Sequence, residues 1–277
     1  MSSIVVTGAN GQVGRALVPR LQDDEHKVTA LVRNSTNLRA HRVVTDWLQN
    51  PAAAQALAEA DFVVHLAGEA TPGKGNSFEA ANVRTTRRVV DAIAGSRVQK
   101  VLFLSYPGAD ERSSNAYLRS KGVAEDLIAR SGHRYAIFRM QISVGARLEP
   151  GEIVTALMAK PGKPVPILGS GLQQVQPCLS RDVIAALVAA ISGPGIGTFE
   201  LFGPDRMTQD DLVRLVNGRD DVRIRHIPRA FAGLVGRLLP TLSPELAMLM
   251  TRTCTGDHTP VERAFGISMT SVRAAWR

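Results

Sequence analysis

A tyrosine and a lysine stand four residues apart, at Tyr117 and Lys121, in a segment whose pattern predicts a helix. At that spacing the two side chains share one face of the helix. A phenol with an ordinary pKa of about 10 exchanges protons slowly at neutral pH, and a nearby ammonium group favours the phenolate and lowers that pKa. Ser105 ends an apolar run and adds a hydroxyl suited to orienting a carbonyl oxygen. These residue types are suited to moving a proton to or from a carbonyl or an alcohol.

A glycine-rich turn near the start of the chain is suited to placing a cofactor beside these residues. Gly8, Gly11 and Gly14 recur at every third position between the apolar run 4–6 and a helix predicted over 12–21. Glycine permits a sharp turn, close approach of the backbone to a ligand, and tight packing of the helix on the strand. The N–H groups at the helix start can hold an anion such as a pyrophosphate. The alternative is a strand-to-helix turn without a ligand, because the spacing alone is a weak signal.

The run Thr-Gly-Ala-Asn-Gly-Gln-Val-Gly at 7–14 resembles the opening of the short-chain dehydrogenase/reductase superfamily, in particular its extended and atypical (NmrA-like, epimerase/dehydratase-like) branches. The spacing Tyr-x-x-x-Lys resembles the catalytic signature of that superfamily. The resemblance covers most of the chain and is strongest up to Arg139. It implies Tyr117 as the acid or base, Lys121 as its partner and a ligand of the nicotinamide ribose, and Ser105 as the group that polarises the substrate oxygen.

The serine position leaves alternatives open. In extended members the catalytic hydroxyl often lies one or two residues beyond the first serine at the strand end, where this chain has Tyr106 and Pro107. Ser105 is then structural, with Ser113 or Ser114 in its place or no serine involved. Some atypical members have lost part of the catalytic set and use the nucleotide as a structural or sensing ligand.

The residue after the second predicted strand favours NADP(H) over NAD(H). An acidic residue at this place accepts hydrogen bonds from the ribose 2′-hydroxyl, whereas an arginine pairs with a 2′-phosphate. This chain has Arg33 there, followed by Asn34 and Ser35, which can add neutral donors. The alternative is that Arg33 is a solvated residue at the strand end.

Further cofactor contacts follow from the resemblance. Leu66, Ala67 and Gly68 end the fourth strand, where small residues let the backbone lie against the cofactor ribose. Asn82, in a helix predicted over 78–94, corresponds to the family's asparagine that keeps the active-site region in register. Two roles are open for Asp46, a contact with the adenine ring or a cap of the helix predicted over 51–60. The complete predicted set is Gly8, Asn10, Gly11, Gln12, Val13, Gly14, Arg33, Asp46, Leu66, Ala67, Gly68, Asn82 and Lys121.

The order of apolar runs and helical patterns predicts an α/β Rossmann fold, a doubly wound parallel sheet with helices on both faces, over residues 1–145. Residues 146–277 are expected to form a smaller α+β substrate-binding part, interleaved with the sheet around 172–202. The loops 69–77 and 141–151 and the C-terminal part are expected to select the substrate.

An apolar stripe at helical spacing lies in the C-terminal part and includes Phe231, Leu234, Val235, Leu238 and Leu239. We expect it to cover a substrate cleft or to join a subunit interface. Membrane binding is the alternative, because Arg229 and Arg237 flank the stripe.

Composition narrows the class of protein. The chain has 277 residues, 44% of them hydrophobic, and a formal net charge of +8. The arginines are scattered without interleaved aromatics, which argues against nucleic acid as a partner. The pattern predicts neither an integral membrane segment nor a secretory signal. Cys178 and Cys254 have no metal-ligand spacing around them, so we expect no metal and a cytoplasmic location.

The leading hypothesis is an NADP(H)-dependent oxidoreductase, a monomer or homodimer, that transfers hydride between nicotinamide and a carbonyl or alcohol of a small molecule. The same residues are compatible with nucleotide-sugar epimerisation or dehydration. A hypothesis from a different class is a non-catalytic NADP(H)-binding regulator or assembly subunit.

Overall fold

Short β-branched runs form the strands of the structure, a computed structural model that describes residues 1–73, 75–145 and 153–276. The strands are β1 (Ser3–Thr7), β2 (Lys27–Leu31), β3 (Arg42–Val44), β4 (Phe62–His65), β5 (Lys100–Ser105), β6 (Arg134–Met140), β7 (Ser143–Val144), β8 (Val165–Leu168), β9 (Gln174–Val175), β10 (Cys178–Leu179), β11 (Gly197–Leu201), β12 (Met207–Thr208) and β13 (Ile224–Ile227).

The α-helices are α1 (Gln12–Asp23), α2 (Pro51–Ala58), α3 (Thr85–Ile93), α4 (Ala116–Ala129), α5 (Ser180–Ser192), α6 (Gln209–Asn217), α7 (Ala232–Leu238), α8 (Pro244–Leu249), α9 (Thr259–Phe265) and α10 (Val272–Ala275). A π-helix covers Glu79–Arg84, and short 3₁₀ helices cover Ile153–Leu157 and Arg229–Phe231. No helix in the described ranges combines the length and apolarity needed to cross a membrane.

The main sheet has seven strands in the order β11-β6-β5-β4-β1-β2-β3, and every pair in it is parallel. The chain runs outward from β1 to β2 and β3, then returns to the other side of β1 at β4. Connections on opposite faces leave a crevice at the carboxyl ends of the strands where the direction of winding reverses. The structure therefore confirms the predicted doubly wound α/β fold and locates its ligand-binding edge between β1 and β4.

Helices cover both faces of this sheet. On one face α1 and α5 bury Leu17 and Leu187 in a shared apolar cluster with β1 and β4. On the other face α2, α3 and α4 bury Leu57, Val89 and Ile128. Strands covered on both faces read as continuous apolar runs, which explains the uninterrupted runs in the sequence.

The helix predicted over 78–94 is divided into two helices of different geometry. Its first part is the π-helix Glu79–Arg84, and α3 follows directly. The hydroxyls of Thr85 and Thr86 both donate to the carbonyl oxygen of Asn82, at 3.1 and 2.7 Å. Threonine hydroxyls compete with the backbone for carbonyl groups, and π-turns occur often at functional sites. Apolar periodicity does not reveal this change, because it records only which face is buried.

After β6 the chain adds β11 to the edge of the main sheet and also forms three short strand pairs outside that sheet. The pairs β7/β10 and β8/β13 are parallel, and β9/β12 is antiparallel. The helix α6 begins with a capping box between Thr208 and Asp211. Of the expected substrate loops, Lys74 and residues 146–151 lie outside the described residues.

Candidate cofactor and active site

The glycine turn brings β1, α1 and β4 into close contact. Gly8 has a left-handed φ of 65°, and a Cβ there would stand 2.7 Å from the backbone nitrogen of Ala67. A Cβ on Gly14 would stand 2.6 Å from the Cα of Ala9. The Gly11 N–H donates to the Gly8 carbonyl oxygen at 2.9 Å and closes the turn. Glycine is therefore required at Gly8 for both conformation and space, and at Gly14 for helix packing.

The start of α1 faces outward with its N–H groups uncapped by any side chain. The residue before it, Gly11, has no side chain to cap the first turn. The first N–H groups of a helix have no partner within the helix, and its dipole favours an anion there. This geometry fits a phosphate group of a dinucleotide.

A cavity of about 490 Å³ opens at the carboxyl ends of β1 and β4, and we refer to it as the switch-point cavity. Its volume lies within the usual range for small-molecule and cofactor sites. Seven of the predicted cofactor-binding residues line it, namely Gly8, Asn10, Gly11, Arg33, Leu66, Ala67 and Gly68. Six lie outside its lining, namely Gln12, Val13, Gly14, Asp46, Asn82 and Lys121. The structure thus brings the glycine turn, the end of β4 and Arg33 around one space.

Charged residues that the sequence analysis did not single out also line the switch-point cavity. Arg84 and Arg88 lie on its wall, and the Glu69 carboxylate forms an ion pair with the Arg33 guanidinium. Arg84 and Arg88 are four residues apart, so the spacing rule applied to Tyr117 and Lys121 predicts a shared face for them too. Glu69 directly follows the predicted contact Gly68, but nothing in its spacing predicts a partner. The lining holds three arginines and one acidic residue, so its net charge suits a polyanion.

Asp46 adopts a left-handed conformation with a φ of 47° in an exposed turn before α2. Its carbonyl oxygen accepts from the N–H groups of Gln49 and Asn50. The cap of α2 is Asn50, whose side chain accepts from the Ala52 N–H at 3.0 Å. The capping role left open for Asp46 is therefore filled by Asn50, and the adenine contact stays a prediction.

Asn82 is buried and connects the cavity wall to α4. Its Oδ1 accepts from the Glu69 N–H at 2.9 Å, and its Nδ2 donates to the Glu69 carbonyl oxygen at 3.1 Å. The same Nδ2 donates to the Ser120 Oγ at 2.9 Å. A Cβ on Gly68 would stand 2.6 Å from Asn82 Oδ1 and 3.9 Å from Lys121 Nζ. The wall of the cavity at Gly68 therefore adjoins both side chains.

Lys121 is buried beside the end of β5. Its Nζ donates to the Leu104 carbonyl oxygen at 2.7 Å and lies 4.0 Å from the centre of the Phe103 ring. Burial lowers the pKa of Lys121 to about 7, against an opposing contribution from the Glu125 carboxylate. Glu125 is held one turn further along α4 by a two-point ion pair with Arg139, with contacts of 2.6 and 3.0 Å. The amine of Lys121 is therefore only partly protonated at neutral pH.

The lowered pKa predicts how stability depends on pH. Between pH 7 and the ordinary lysine value, the unfolded chain binds more protons at Lys121 than the folded chain, so the free energy of unfolding should rise with pH in that window. Below pH 7 the cost of charging the buried amine is present in full. Denaturant unfolding of Lys121→Met and wild type at pH 6.5, 7.5 and 8.5 should show a steeper rise for wild type. Parallel curves would contradict the assignment.

Tyr117 lies on the same face of α4 as Lys121, in an aromatic cluster. Its ring centre is 5.3 Å from that of Tyr106 and 5.7 Å from that of Phe78. Burial raises the pKa of Tyr117, and Tyr106 adds to the rise. This direction is opposite to the lowering by Lys121 that the sequence predicts, because Lys121 Nζ is directed to the Leu104 carbonyl oxygen. In this state the phenol is neutral.

The helix α8 covers this cluster. Leu246 and Leu249 pack against the two tyrosines. The Ser243 hydroxyl donates to the Ala70 carbonyl oxygen at 2.8 Å, and the Asn115 Nδ2 donates to the Glu245 carbonyl oxygen at 3.1 Å. The cover is therefore tied to the loop after β4 and to the start of α4.

Ser105 is buried at the end of β5, next to the carbonyl that Lys121 contacts. Its Oγ has no hydrogen-bond partner among the described residues. Buried hydroxyls are normally paired, so an unpaired one at the end of β5 is a candidate ligand group. Tyr106 occupies the next position and places a second phenol beside Tyr117.

His65 is completely buried under the cavity and links its two walls. Its Nδ1 lies 2.7 Å from the Thr7 Oγ1, which accepts from the Ala67 N–H, and its Nε2 lies 2.9 Å from the Thr86 Oγ1. Because Thr86 donates to the Asn82 carbonyl oxygen, it must accept from His65, so the proton is on Nε2. Burial, helped by the Lys121 charge, lowers the pKa of His65 to about 3. A neutral histidine with both ring nitrogens hydrogen-bonded is suited to a structural role.

Comparison with known proteins supports a dinucleotide-binding family. Residues 4–197 match the model of the NAD dependent epimerase/dehydratase family. The chain is 28% identical over 236 residues to subunit 9 of the NADH dehydrogenase [ubiquinone] 1 alpha subcomplex of Arabidopsis thaliana mitochondria, covering 78% of this chain and 58% of the relative. It is 28% identical over 206 residues to the ceramide reductase of Caulobacter vibrioides, covering 72% of this chain and 63% of the relative. The chain thus spans about three fifths of the length of these relatives.

A solved structure of MoeE5 in complex with UDP-glucose and NAD superimposes with a TM-score of 0.78 at 20% identity, covering 99% of this chain and 96% of that chain. At that identity the likeness shows the fold. The family match extends over more than half of the chain and agrees with the resemblance to the extended short-chain dehydrogenase/reductases. The protein therefore belongs to the NAD dependent epimerase/dehydratase family.

Proposed function

We propose that the protein is an NADP(H)-dependent reductase that acts on a carbonyl group of a small molecule. The observation that carries the proposal is the contact at Gly68. There the wall of the switch-point cavity stands beside Lys121, which shares a face of α4 with Tyr117. Lys121 therefore adjoins the cavity wall at Gly68 and connects it, along one face of α4, with Tyr117.

Different residues of the chain bind the cofactor and transfer the proton. The N–H groups at the start of α1 and the close approach at Gly8 hold the diphosphate, while Ala67 and Gly68 offer backbone to the ribose. When bound, the nicotinamide supplies or accepts the hydride. Tyr117 holds the proton that the substrate oxygen receives, although burial raises its pKa and makes the phenol a weaker acid than the predicted influence of Lys121 would. The relatives named as reductases support reduction as the direction of the reaction.

The proposed preference for NADP(H) rests on Arg33, supported by Arg84 and Arg88 on the same cavity wall. A 2′-phosphate would share the Arg33 guanidinium with Glu69 or displace that carboxylate. Direct calorimetric titration of the purified protein with NADPH and NADH, followed by turnover of a panel of ketones and aldehydes, tests the proposal. Absence of binding to either coenzyme overturns it.

Arg33→Asp should lower NADPH affinity about 10- to 100-fold while leaving NADH affinity within a few-fold, because one charge-assisted interaction with the 2′-phosphate is lost. Glu69→Gln should strengthen NADPH binding, because it removes the carboxylate that pairs with the Arg33 guanidinium. Arg39→Asp provides a control, since Arg39 is exposed and pairs with Asp23 away from the cavity. Titration calorimetry of each variant with both coenzymes gives the ratio of NADPH affinity to NADH affinity. An unchanged ratio in Arg33→Asp would exclude this residue as the selector.

A second candidate function is a non-catalytic NADP(H)-binding subunit of a larger assembly. The observation that favours it is the cover over Tyr117, where α8 is tied down by Ser243 and Asn115. A phenol that is closed off from substrate cannot bind its carbonyl group. In addition, this chain has a tyrosine, Tyr106, at a position where extended enzymes often have their catalytic serine hydroxyl. One relative is named as a subunit of a mitochondrial NADH dehydrogenase. Coenzyme binding without turnover on any carbonyl would favour this function.

A further inference from the structure

Four large apolar side chains project outward around α7. Phe231, Leu234, Leu238 and Leu239 are 54%, 53%, 71% and 47% exposed, and we refer to them as the apolar ridge. The first three follow the spacing of one helical face. Single exposed apolar residues are ordinary, but a contiguous set marks an interaction surface. These side chains do not line the switch-point cavity, and the expectation that the stripe covers a substrate cleft or joins a subunit interface stays a prediction.

The opposite face of α7 is already used within the chain. Ala232 and Ala247 are buried together, and a Cβ on Gly236 would stand 2.6 Å from the Cα of Pro244. Rotation of α7 cannot bury the apolar ridge, because the helix is pressed against the start of α8. The described parts of the chain leave the ridge uncovered.

The charged residues between 222 and 244, the segment that contains the apolar ridge, are of one sign, whereas Asp221 and Glu245 directly flank this segment. Residues 222–244 contain four arginines and one histidine but no aspartate or glutamate. All four arginines are exposed, and none forms an ion pair within the described parts of the chain. They are Arg223, Arg225, Arg229 and Arg237.

We propose that the apolar ridge docks onto the surface of an anionic lipid membrane. An apolar helical face flanked by arginines lies in the interface plane, with the apolar side chains at the boundary of the acyl region and the guanidinium groups among the phosphates. A second copy of the chain is a poorer occupant, since a two-fold contact would bring these arginines against each other. The docking is peripheral and independent of coenzyme binding.

The test is co-sedimentation of the full chain with vesicles of phosphatidylcholine alone or mixed with phosphatidylglycerol. Wild type should bind the mixed vesicles, and binding should weaken with salt. The double variant Phe231→Ser with Leu238→Ser should lower the partition coefficient about tenfold or more, because two exposed apolar side chains no longer enter the lipid. Arg229→Glu with Arg237→Glu should remove the dependence on phosphatidylglycerol.

Ile196→Ser is the matched control, since Ile196 is 52% exposed just before β11 and far from α7 in sequence. It should bind vesicles as wild type does. Absence of wild-type binding to mixed vesicles overturns the proposal, as does binding that the ridge variants leave unchanged. A lipid-free dimer in sedimentation velocity that the double variant dissociates would assign the ridge to a second copy instead.

Discussion

Tyr117→Phe should lower the rate of carbonyl reduction about 100- to 10,000-fold and leave NADPH affinity within about twofold of wild type. Phenylalanine keeps the ring contacts with Tyr106 and Phe78 but carries no proton for the substrate oxygen. Coenzyme affinity is preserved because Tyr117 lies outside the lining of the switch-point cavity. Steady-state kinetics on the carbonyl identified in the panel, with calorimetry for NADPH, gives both quantities.

Tyr135→Phe is a suitable control, because Tyr135 lies on β6 within the apolar cluster on the other side of α4. It should retain turnover. If Tyr117→Phe also retained turnover, Tyr117 would not be the proton donor and Tyr106 would be tested next. If wild type bound NADPH but reduced nothing in the panel, the closed cover by α8 would be a permanent feature and the non-catalytic function would be favoured.

The parallel-sheet part of the fold is predictable because its signals are local. The run before Gly8 has the β-branched residues of a buried strand, and the glycines follow at the turn. The strand order is a property of the whole sheet, but the alternation of strands and helices restricts it to few choices. Residues that end parallel strands meet at one edge, which explains why Arg33 and Gly68 were both predicted to face the cofactor and both line one cavity.

The contacts between side chains were not predictable from spacing. The shared helical face of Tyr117 and Lys121 does not determine where the ammonium group points, and the Leu104 carbonyl oxygen accepts its proton. The ion pair between Arg33 and Glu69 joins two strand ends from different parts of the chain. Electrostatic directions at such sites depend on burial, which reverses the expected shift in the pKa of Tyr117.

The C-terminal part shows the same limit for apolar patterns. The stripe around α7 was expected to cover a cleft or to join a subunit interface, whereas the residues that cover Tyr117 are Leu246 and Leu249 on α8. Periodicity indicates that a face is apolar but not which surface it contacts. The bonds of Ser243 and Asn115 decide which helix is the cover.

Gly8→Ala should reduce NADPH affinity about 100-fold or more and lower the free energy of unfolding by about 2 to 5 kcal/mol. A left-handed φ of 65° is unfavourable for alanine. The alanine Cβ would also collide with the backbone of Leu66 and Ala67, both of which line the switch-point cavity. Relief of the collision moves the end of β4 away from β1 and opens the turn that holds the diphosphate.

Gly95→Ala separates the two causes. Gly95 has a φ of 69°, but nothing lies within 4 Å of the position its Cβ would take. The Gly95→Ala variant should therefore lose only the conformational cost of a left-handed alanine, about 1 to 2 kcal/mol of the free energy of unfolding. It should bind NADPH as wild type does. Urea unfolding and calorimetry on both variants measure the difference, which is the contribution of the close approach at Gly8. Equal losses of stability with unchanged NADPH affinity in both variants would mean that no nucleotide lies against this turn, because only a bound ligand makes the position of Ala67 matter for affinity.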